Sequence, residues 1–544
     1  MPHRRMVVFS YLAAALLIIA FVGPYLGREI FPRITSGQLL LRFRAPIGTR
    51  VEATERLTLD VLREIEDVSG PDSVTTTLGY VGAPPPAYPI NTIYLWTSGQ
   101  HEAVLRIALS KKSKLSVNEL EERLRKRLSS KFPRCQFSFE AADIVTQIMN
   151  FGAPTPVEIN VSGPNLQANR AFAEKIYAEL QGVRGLRDLQ YDEPLDYPSI
   201  EVNVDRERAG QLGVTAAGVG RSFLAATSSS RFVTPNYWAD PKSGVAYQLQ
   251  VQVPQADMTS TRDVEQIPVT RGADSHPLLG DVANVKYGNV VGEYHRLNGQ
   301  RMVTLTANVS GEDLGRVSTQ LDKALKRAGN PPRGVKVEIR GQLAPMKQTL
   351  TNLGIGLLIA ILVIFLLLSA NFQSMRLALV VLSTAPSVIC GVIFVLLITG
   401  TTINIQSFMG AIMALGVAVA NAILLVIFAE HYRRDGNDSG AAAREGAKSR
   451  MRAILMTSMA MIAGMIPMSS GLGEGGQQTA PLGRAVIGGL LFATATTLLI
   501  VPLVFAATQQ RASLGSPSLD PDDPNSKFTD TKGNTDQESR ESGL

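Results

Sequence analysis

The sequence predicts an α-helical membrane domain of six transmembrane helices joined to an α+β domain outside the membrane. Three observations predict it. The apolar residues are gathered into six blocks, although the hydrophobic content of 45% is ordinary for a water-soluble protein. The long stretch between the first and second blocks, residues 27–352, reads as soluble. Within that stretch, strand-like and helix-like patterns alternate in the order of split βαβ, ferredoxin-like modules.

The blocks are Val7–Leu26, Leu353–Ala370, Leu377–Leu397, Phe408–Ala429, Ile454–Met468 and Val486–Ala507. All but one approach or exceed the roughly 18–20 apolar residues that cross a bilayer as a helix. Ile454–Met468 is short, and Ala453 and Ser469–Leu472 extend it. Pro24, Pro386, Pro467 and Pro502 fall in or near spans, where neighbouring helices re-satisfy the freed backbone groups. His3, Arg4 and Arg5 ahead of an apolar run have the look of a signal peptide. The run is long for one, however, and Arg28-Glu29-Ile30-Phe31-Pro32 behind it offers no small-residue cleavage site, so an uncleaved anchor is expected.

Basic residues mark the cytoplasmic side of a membrane protein. Arg4 and Arg5 place the N-terminus there and residues 27–352 outside. The loop His431–Arg452, with Arg433, Arg434, Arg444, Lys448, Arg450 and Arg452, falls inside, and the loop Gly400–Ser407, without positive charge, falls outside. The tail from Arg511 is inside. Only the loop ending at Arg484 runs against the rule.

In the soluble stretch, Gln38–Arg44 alternates at period two and Val51–Val68 is amphipathic. Val104–Leu109 reads as a strand, Ser116–Lys131 as a helix with a charged face and Gln136–Glu140 as a strand. The grammar then repeats: strand Val157–Ser162, helix Asn165–Leu180 capped by Asn165, strand Leu186–Tyr191. Ser199–Val204 opens a further segment, and Arg301–Val309, Leu314–Ala328 and Val335–Arg340 form another β–α–β set. Two modules are expected, the second interrupted at about Glu201–His295. Residues 513–544, rich in Ser, Asp, Pro, Lys and Gly, read as a disordered tail.

Several functions are excluded. Lys and Arg total 53 against 47 Asp and Glu, and many basic residues flank apolar blocks, so no nucleic-acid partner is implied. The two cysteines, Cys135 and Cys390, lie in different environments and make no disulfide framework or metal finger. No Walker loop, GxSxG or HExxH occurs, which argues against an enzyme, and five histidines make a histidine metal site improbable. The methionines at 456, 459, 461, 465 and 468 are read as apolar filler rather than a soft-metal path.

The order of parts, with four short motifs, resembles the C-terminal half of permeases of the resistance–nodulation–division superfamily, in its hydrophobe and amphiphile efflux branch. Arg28–Pro32 looks like the exit of that half's first helix, Gly416–Glu430 (GVAVANAILLVIFAE) is similar to its fourth helix, and Arg450–Ser458 (RMRAILMTS) to the start of its fifth. Glu474–Gly489 (EGGQQTAPLGRAVIGG) looks like the entry to its last. The resemblance covers roughly residues 1–510. It implies a first transmembrane helix at 1–28, a first porter subdomain at 37–152 and a second at 153–200 and 296–342. It further implies an inserted docking subdomain at 201–295 and a five-helix bundle at 353–508. The implied setting is a bacterial cytoplasmic (inner) membrane with a large periplasmic domain. The implied partners are an N-terminal half, a trimeric assembly, a periplasmic adaptor and an outer-membrane channel. The implied activity is proton-driven efflux of small hydrophobic or amphiphilic compounds, with the proton gradient as energy source and no cofactor.

Coupling by protons needs ionisable groups inside the membrane, where they are costly and usually functional. The spans hold none at mid-depth. In drug pumps of the family a lysine on this helix answers an acidic pair of the other half, and alignment of GVAVANAI places that lysine at Ala420. What remains to match the relay is Arg450 and Thr457, with Asn421 beside the lost lysine. Arg450 also fits a simple topological role, and Thr457 a bond to its own helix. For substrate, Gly79–Asn91 (GYVGAPPPAYPIN) occupies the place of a loop between two pockets, with Tyr80 and Tyr88 in it and Tyr94 and Trp96 following at strand spacing. The missing lysine and missing half keep two alternatives open: a membrane-anchored periplasmic binding or assembly protein that transports nothing, and a fragment of a disrupted pump.

Overall fold

The computed structural model describes residues 4–32, 37–83, 97, 99–110, 115–269, 276–473 and 475–510. Tyr88, Tyr94, Trp96, most of the Gly79–Asn91 loop, Glu474 and the 513–544 tail lie outside the described residues.

Helix α1 (Arg4–Val22) gives way at Pro24 to one 3-10 turn, Gly23–Tyr25. The Arg28–Pro32 motif then works as an anchor. Glu29 N–H donates to the Ile403 carbonyl at 3.0 Å and Ile403 N–H to the Gly27 carbonyl at 2.7 Å, binding the exit to the membrane bundle. Arg28 N–H donates to Asp313 Oδ1 at 2.9 Å, which binds it to the domain outside.

That domain contains two units of the same topology. In the first, β1 (Gln38–Arg44), α2 (Val51–Ser69), β2 (Val74–Val81), β3 (Glu102–Leu109), α3 (Val117–Lys131) and β4 (Gln136–Glu140) make an antiparallel sheet of order β2-β3-β1-β4. Ser116 caps α3 by accepting from Glu119 N–H, and Leu120, Leu124 and Leu128 on its apolar stripe are fully buried against the sheet. Strand β1 alternates at period two as expected, with Arg42 and Arg44 on one face, but six of its seven residues are buried. Both arginines face a second protein surface instead of water. A short helix, α4 (Ile144–Met149), follows β4 and is capped by Asp143.

The second unit repeats the plan with β5 (Val157–Ser162), α5 (Leu166–Leu180) and β6 (Leu186–Tyr191). Here the chain departs into a small unit built on β7 (Tyr197–Val204), α6 (Ala216–Thr227), the hairpin β8 (Asn236–Ala239)–β9 (Ala246–Leu249), and β10 (Ala283–Val290), which pairs with β7. It returns through β11 (Arg296–Leu297) to β12 (Gln300–Val309), α7 (Leu314–Ala328) and β13 (Lys336–Gly341). Strand β12 lies between β5 and β6, and β13 on the far side of β5, so the order is that of the first unit.

Helix α8 (Leu343–Phe372) starts in the outer domain and runs unbroken through the second span. The third span is two helices, α9 (Met375–Leu382) and α10 (Ala385–Ile398), broken ahead of Pro386, whose missing N–H cannot continue the ladder. At this break Tyr11 donates its hydroxyl to the Ser383 carbonyl at 2.9 Å. Then come α11 (Ile405–Arg434), α12 (Ser439–Ser470), α13 (Gly476–Leu499) and α14 (Val501–Thr508). The span expected at Ile454–Met468 is the C-terminal part of a helix of 32 residues, which explains why the apolar block alone looks short. Among the described residues, 6 helices are long and apolar enough to cross a membrane. The spans of α9–α10, α11 and α13 are 56%, 50% and 50% buried, whereas those of α1 and α8 are 6% and that of α12 is 11%, so the former make the centre of the bundle. Gly391 of α10 and Gly488 of α13 sit backbone to backbone, and a Cβ on either collides with the other's carbonyl. Arg484, the exception to the charge rule, is no loop residue. It lies in α13 and donates from Nη1 to Thr401 Oγ1 at 2.6 Å and from Nε to the Ser469 carbonyl at the end of α12 at 3.1 Å.

Candidate functional site: a neutral polar chain between the helices and a charged seam outside them

The membrane bundle brings together two of the residues named from the sequence. Asn421 of α11 and Thr457 of α12 meet at 3.4 Å, with Thr457 Oγ1 as donor to Asn421 Oδ1. The same hydroxyl also lies 3.1 Å from the Ala453 and Ile454 carbonyls of its own helix. The structure adds two members that the sequence reading missed. Asn421 Nδ2 reaches Ser458 Oγ at 3.5 Å, and Ser458 Oγ lies 2.8 Å from Thr494 Oγ1 of α13. A chain of one amide and three hydroxyls thus crosses three helices without an ionisable group. Ser458 is fully buried, Asn421 is half-buried and Thr457 is exposed at the bundle edge. Hydroxyls in apolar helices have no distinctive spacing, so only the contact could reveal Ser458 and Thr494.

Two other named residues stay outside the chain. Ala420 is exposed on an α11 face that no helix among the described residues covers, in line with Met409, Met413, Gly416, Leu424 and Ile427. Arg450 lies seven residues, about 10 Å of helix, from Thr457. Its guanidinium stacks on the Phe428 ring at 3.8 Å, and its buried Nε has no hydrogen-bond partner. Tyr80 stands on β2 opposite Val104 and is 36% exposed.

Outside the membrane, the two α+β units meet along β4, β6 and β12, and the seam is packed with charge. Arg42 Nη1 donates to Asp192 Oδ1 at 3.1 Å and its Nη2 to Glu102 Oε2 at 3.3 Å. Arg44 binds Glu102 Oε1 at 2.5 Å and donates to the carbonyls of Tyr191 and Asp192. Asp188, in β6, accepts from Arg125 Nε and Nη2 at 2.7 and 2.9 Å, from Phe139 N–H at 3.1 Å and from Asn308 Nδ2 at 3.0 Å. Charges removed from water are tolerated only when paired in this way. Glu140 is the poorly served member. It is 7% exposed, its Oε1 lies 3.8 Å from Arg42 Nη1, and that oxygen has no hydrogen bond. Burial pushes its carboxyl up to about 7, the positive charge of Arg42 only partly offsetting this. His101, also fully buried, has no hydrogen bond at either ring nitrogen, and burial lowers it from its ordinary value. His295 behaves oppositely. Burial alone lowers it, but bonds of 3.0 Å to both Glu193 and Glu293 push it up to about 10.

On the membrane side of the seam a cleft of about 480 Å³ opens between α3, β4, α4 and the β12–α7 turn, with the Glu29–Pro32 exit beneath. Its charged lining is mostly acidic and includes Glu122, Glu140 and Asp143, while the arginine in it, Arg125, is held by Asp188 and Glu122. Among the described residues no group of three or more His, Cys, Asp or Glu is arranged to hold a metal ion.

Six candidate spans and a twice-repeated ferredoxin-like unit with an insertion define a multi-pass membrane permease fold. The chain belongs to the AcrB/AcrD/AcrF family, whose sequence model matches residues 1–509. It is 24% identical over 515 residues to the cation efflux system protein CzcA of Alcaligenes sp. (strain CT14), covering 93% of this chain and 47% of that protein. It is 30% identical over 303 residues to the swarming motility protein SwrC of Bacillus subtilis, covering 55% and 28%. It is 24% identical over 531 residues to the toluene efflux pump membrane transporter TtgB of Pseudomonas putida, covering 94% and 47%. Among solved structures, a heavy metal efflux pump superposes with a TM-score of 0.81 at 23% identity, covering 93% of this chain and 50% of that one. The chain spans about half the length of the curated relatives it matches.

Proposed function

We propose that the chain acts as one half of a proton-driven efflux permease, working with a second half that supplies the acidic groups of the motor. The observation that carries this reading is the family match across residues 1–509, which runs through both the spans and the outer domain yet accounts for half of its full-length relatives. In this reading the membrane is the bacterial inner membrane, with both termini cytoplasmic and residues 27–352 periplasmic. Residues 37–152 are the first porter subdomain, 153–200 and 296–342 the second, and 201–295 the docking subdomain toward adaptor and outer-membrane partners. The pump assembles as a trimer.

The uncovered α11 face bearing Ala420, with Asn421 and Thr457 at its edge, is where the second half packs. With alanine in place of lysine, this half answers the partner's ionisable groups by hydrogen bonding through the Thr457–Asn421–Ser458–Thr494 chain, and Arg450 supports the relay from the cytoplasmic side. Tyr80, Tyr88, Tyr94 and Trp96 are substrate-path residues.

The substrates are hydrophobic or amphiphilic compounds. Support comes from the apolar lip of α4 beside the cleft, where Ile144 and Ile148 are 70% and 65% exposed. A second reading, export of metal cations, is favoured by the names of the CzcA-type relatives. Accumulation assays in a pump-deficient host carrying both halves separate the two. Protonophore-sensitive loss of ethidium that disappears in Arg450→Ala supports the first. Resistance confined to zinc, cobalt or cadmium replaces it with the second, and no change in either sinks the transport reading.

A further inference from the structure

Helix α12 is longer than a membrane requires. Its 32 residues make about 48 Å of helix against a hydrocarbon core of about 30 Å, and the surplus lies at the N-terminal end, ahead of the apolar part. Ala442, Ala443 and Gly446 turn one side of that end inward, and a Cβ on Gly446 would meet the Ala429 backbone of α11. The opposite side carries Arg444, Lys448 and Arg452, four residues apart and therefore within about 80° of arc. All three are exposed. Leu455, Met459 and Ile466 continue the same stripe into the apolar part, exposed as well, on a span that is only 11% buried. One uncovered face thus changes from basic to apolar between Arg452 and Leu455, at the end of the span away from the outer domain.

The basic residues at this end of the bundle are not equivalent. Arg433 and Arg434 of α11 are bound to Glu430 at 2.7 and 3.3 Å, and Arg450 stacks on Phe428. Lys448 has Glu445 at 3.7 Å. The side chains of Arg444 and Arg452 have no ion pair or hydrogen bond among the described residues. Basic residues set topology wherever in a loop they stand, which does not require them on one helix face, free of carboxylates and continuous with an uncovered apolar stripe. That arrangement puts unpaired cations at headgroup depth beside the acyl chains, and its complement is a molecule with an anionic head and apolar tails. We propose that the outer stripe of α12 is a docking site for an anionic phospholipid, its headgroup held among Arg444, Lys448 and Arg452 and its acyl chains along Leu455, Met459 and Ile466. The stripe lies on the side of α12 away from Arg450 and Thr457, so a second half packed against α11 leaves it open. The proposal rests on the membrane placement of α12 in the reading above, and not on transport.

The test is local fluorescence quenching on the full chain in phosphatidylcholine nanodiscs. Leu455→Trp places a fluorophore at the boundary of the stripe, and the native tryptophans, Trp96 and Trp238, lie in the stretch outside the spans. Quenching by phosphatidylglycerol brominated in mid-chain is compared with quenching by phosphatidylcholine brominated in the same way. Phosphatidylglycerol should be preferred, each unpaired cation raising the preference about fivefold. Arg444→Gln with Arg452→Gln then lowers it about twentyfold, while Arg444→Lys with Arg452→Lys keeps it. Salt at about 1 M, where the Debye length is about 3 Å, removes most of it. Leu358→Trp, on the exposed side of α8 in the half of the bilayer next to the outer domain, shows no preference. Equal quenching by the two lipids at Leu455→Trp returns the stripe to the aqueous side, open to a soluble acidic partner, and overturns the site. A preference that survives the glutamine pair, or that is as large at Leu358→Trp, overturns it too. Absence of quenching by either lipid takes α12 out of the bilayer and sinks the permease reading with it, whereas quenching without headgroup preference sinks the lipid site alone.

Discussion

Replacing Asp188 by alanine should open the seam between the two α+β units. The carboxylate is 4% exposed and accepts four hydrogen bonds from three elements: two from Arg125 of α3, one from the backbone of β4 and one from Asn308 of β12. Its backbone sits at φ 54°, in the left-handed region, where the β6–β12 register shifts. Alanine leaves a largely buried guanidinium without its main counter-charge, a change that typically costs 3–5 kcal/mol. Arg125 keeps Glu122 at 2.7 Å, so the lower end applies, about 3 kcal/mol or roughly a hundredfold in the opening equilibrium. Asparagine tolerates the left-handed backbone and keeps one acceptor, so Asp188→Asn should cost about half as much. Amide hydrogen exchange by mass spectrometry on the detergent-solubilised chain reads this directly. Peptides covering β4 and β6 should lose about two orders of magnitude of protection while those from α11 and α13 stay unchanged. If β4 and β6 keep wild-type protection, the seam is not held by Asp188 and the ionic description of it is wrong.

Gly391→Ala should lower the thermal midpoint of the solubilised chain, because its Cβ meets the Gly488 carbonyl, and overpacking of this kind costs about 1–3 kcal/mol; an unchanged midpoint contradicts the close α10–α13 crossing. His295 is protonated in the folded state up to about pH 10 but only to about 6.5 when unfolded. Its stabilisation is therefore full below pH 6.5 and is lost as pH rises through 10, and His295→Gln should flatten the fall in protection of β11 and β12 between pH 7 and pH 10. Ala420→Lys projects from an uncovered face, so no steric loss is expected within this chain. If lipid covers that face the charge costs about 2.5–3.5 kcal/mol of insertion, whereas co-expression with a second half carrying an acidic pair should restore wild-type yield.

Element by element, the outer domain was open to reading from the sequence. Strands Gln38–Arg44, Gln136–Glu140, Val157–Ser162 and Leu186–Tyr191 and helix Leu314–Ala328 have the limits that periodicity and caps indicate. Strand β2 escaped notice because Val74-Thr75-Thr76-Thr77-Leu78-Gly79 is largely exposed and carries no apolar alternation. The seam escaped notice for a physical reason. Arginine at every second position of a strand reads as a solvent face, and only the docking of a second sheet, supplied by residues more than a hundred positions away, turns it into a buried one. The same holds between the helices. Asn421 stands out as an amide in an apolar run, but Ser458 and Thr494 are ordinary membrane residues until α12 and α13 bring them together. Ala420 was legible as a departure from the family pattern, and the structure adds that it faces away from its own bundle.

The claim that this chain is one half of a pump is tested most directly by proton-coupled transport in proteoliposomes. The chain is reconstituted alone and together with a second half bearing an acidic pair on its fourth helix, under an imposed pH gradient, with internal pH and substrate followed in parallel. The account predicts gradient-driven substrate movement and matching proton flux only when both halves are present. Proton-coupled transport by this chain alone would contradict it, because among the described residues the Thr457–Asn421–Ser458–Thr494 chain contains no ionisable group to carry the proton.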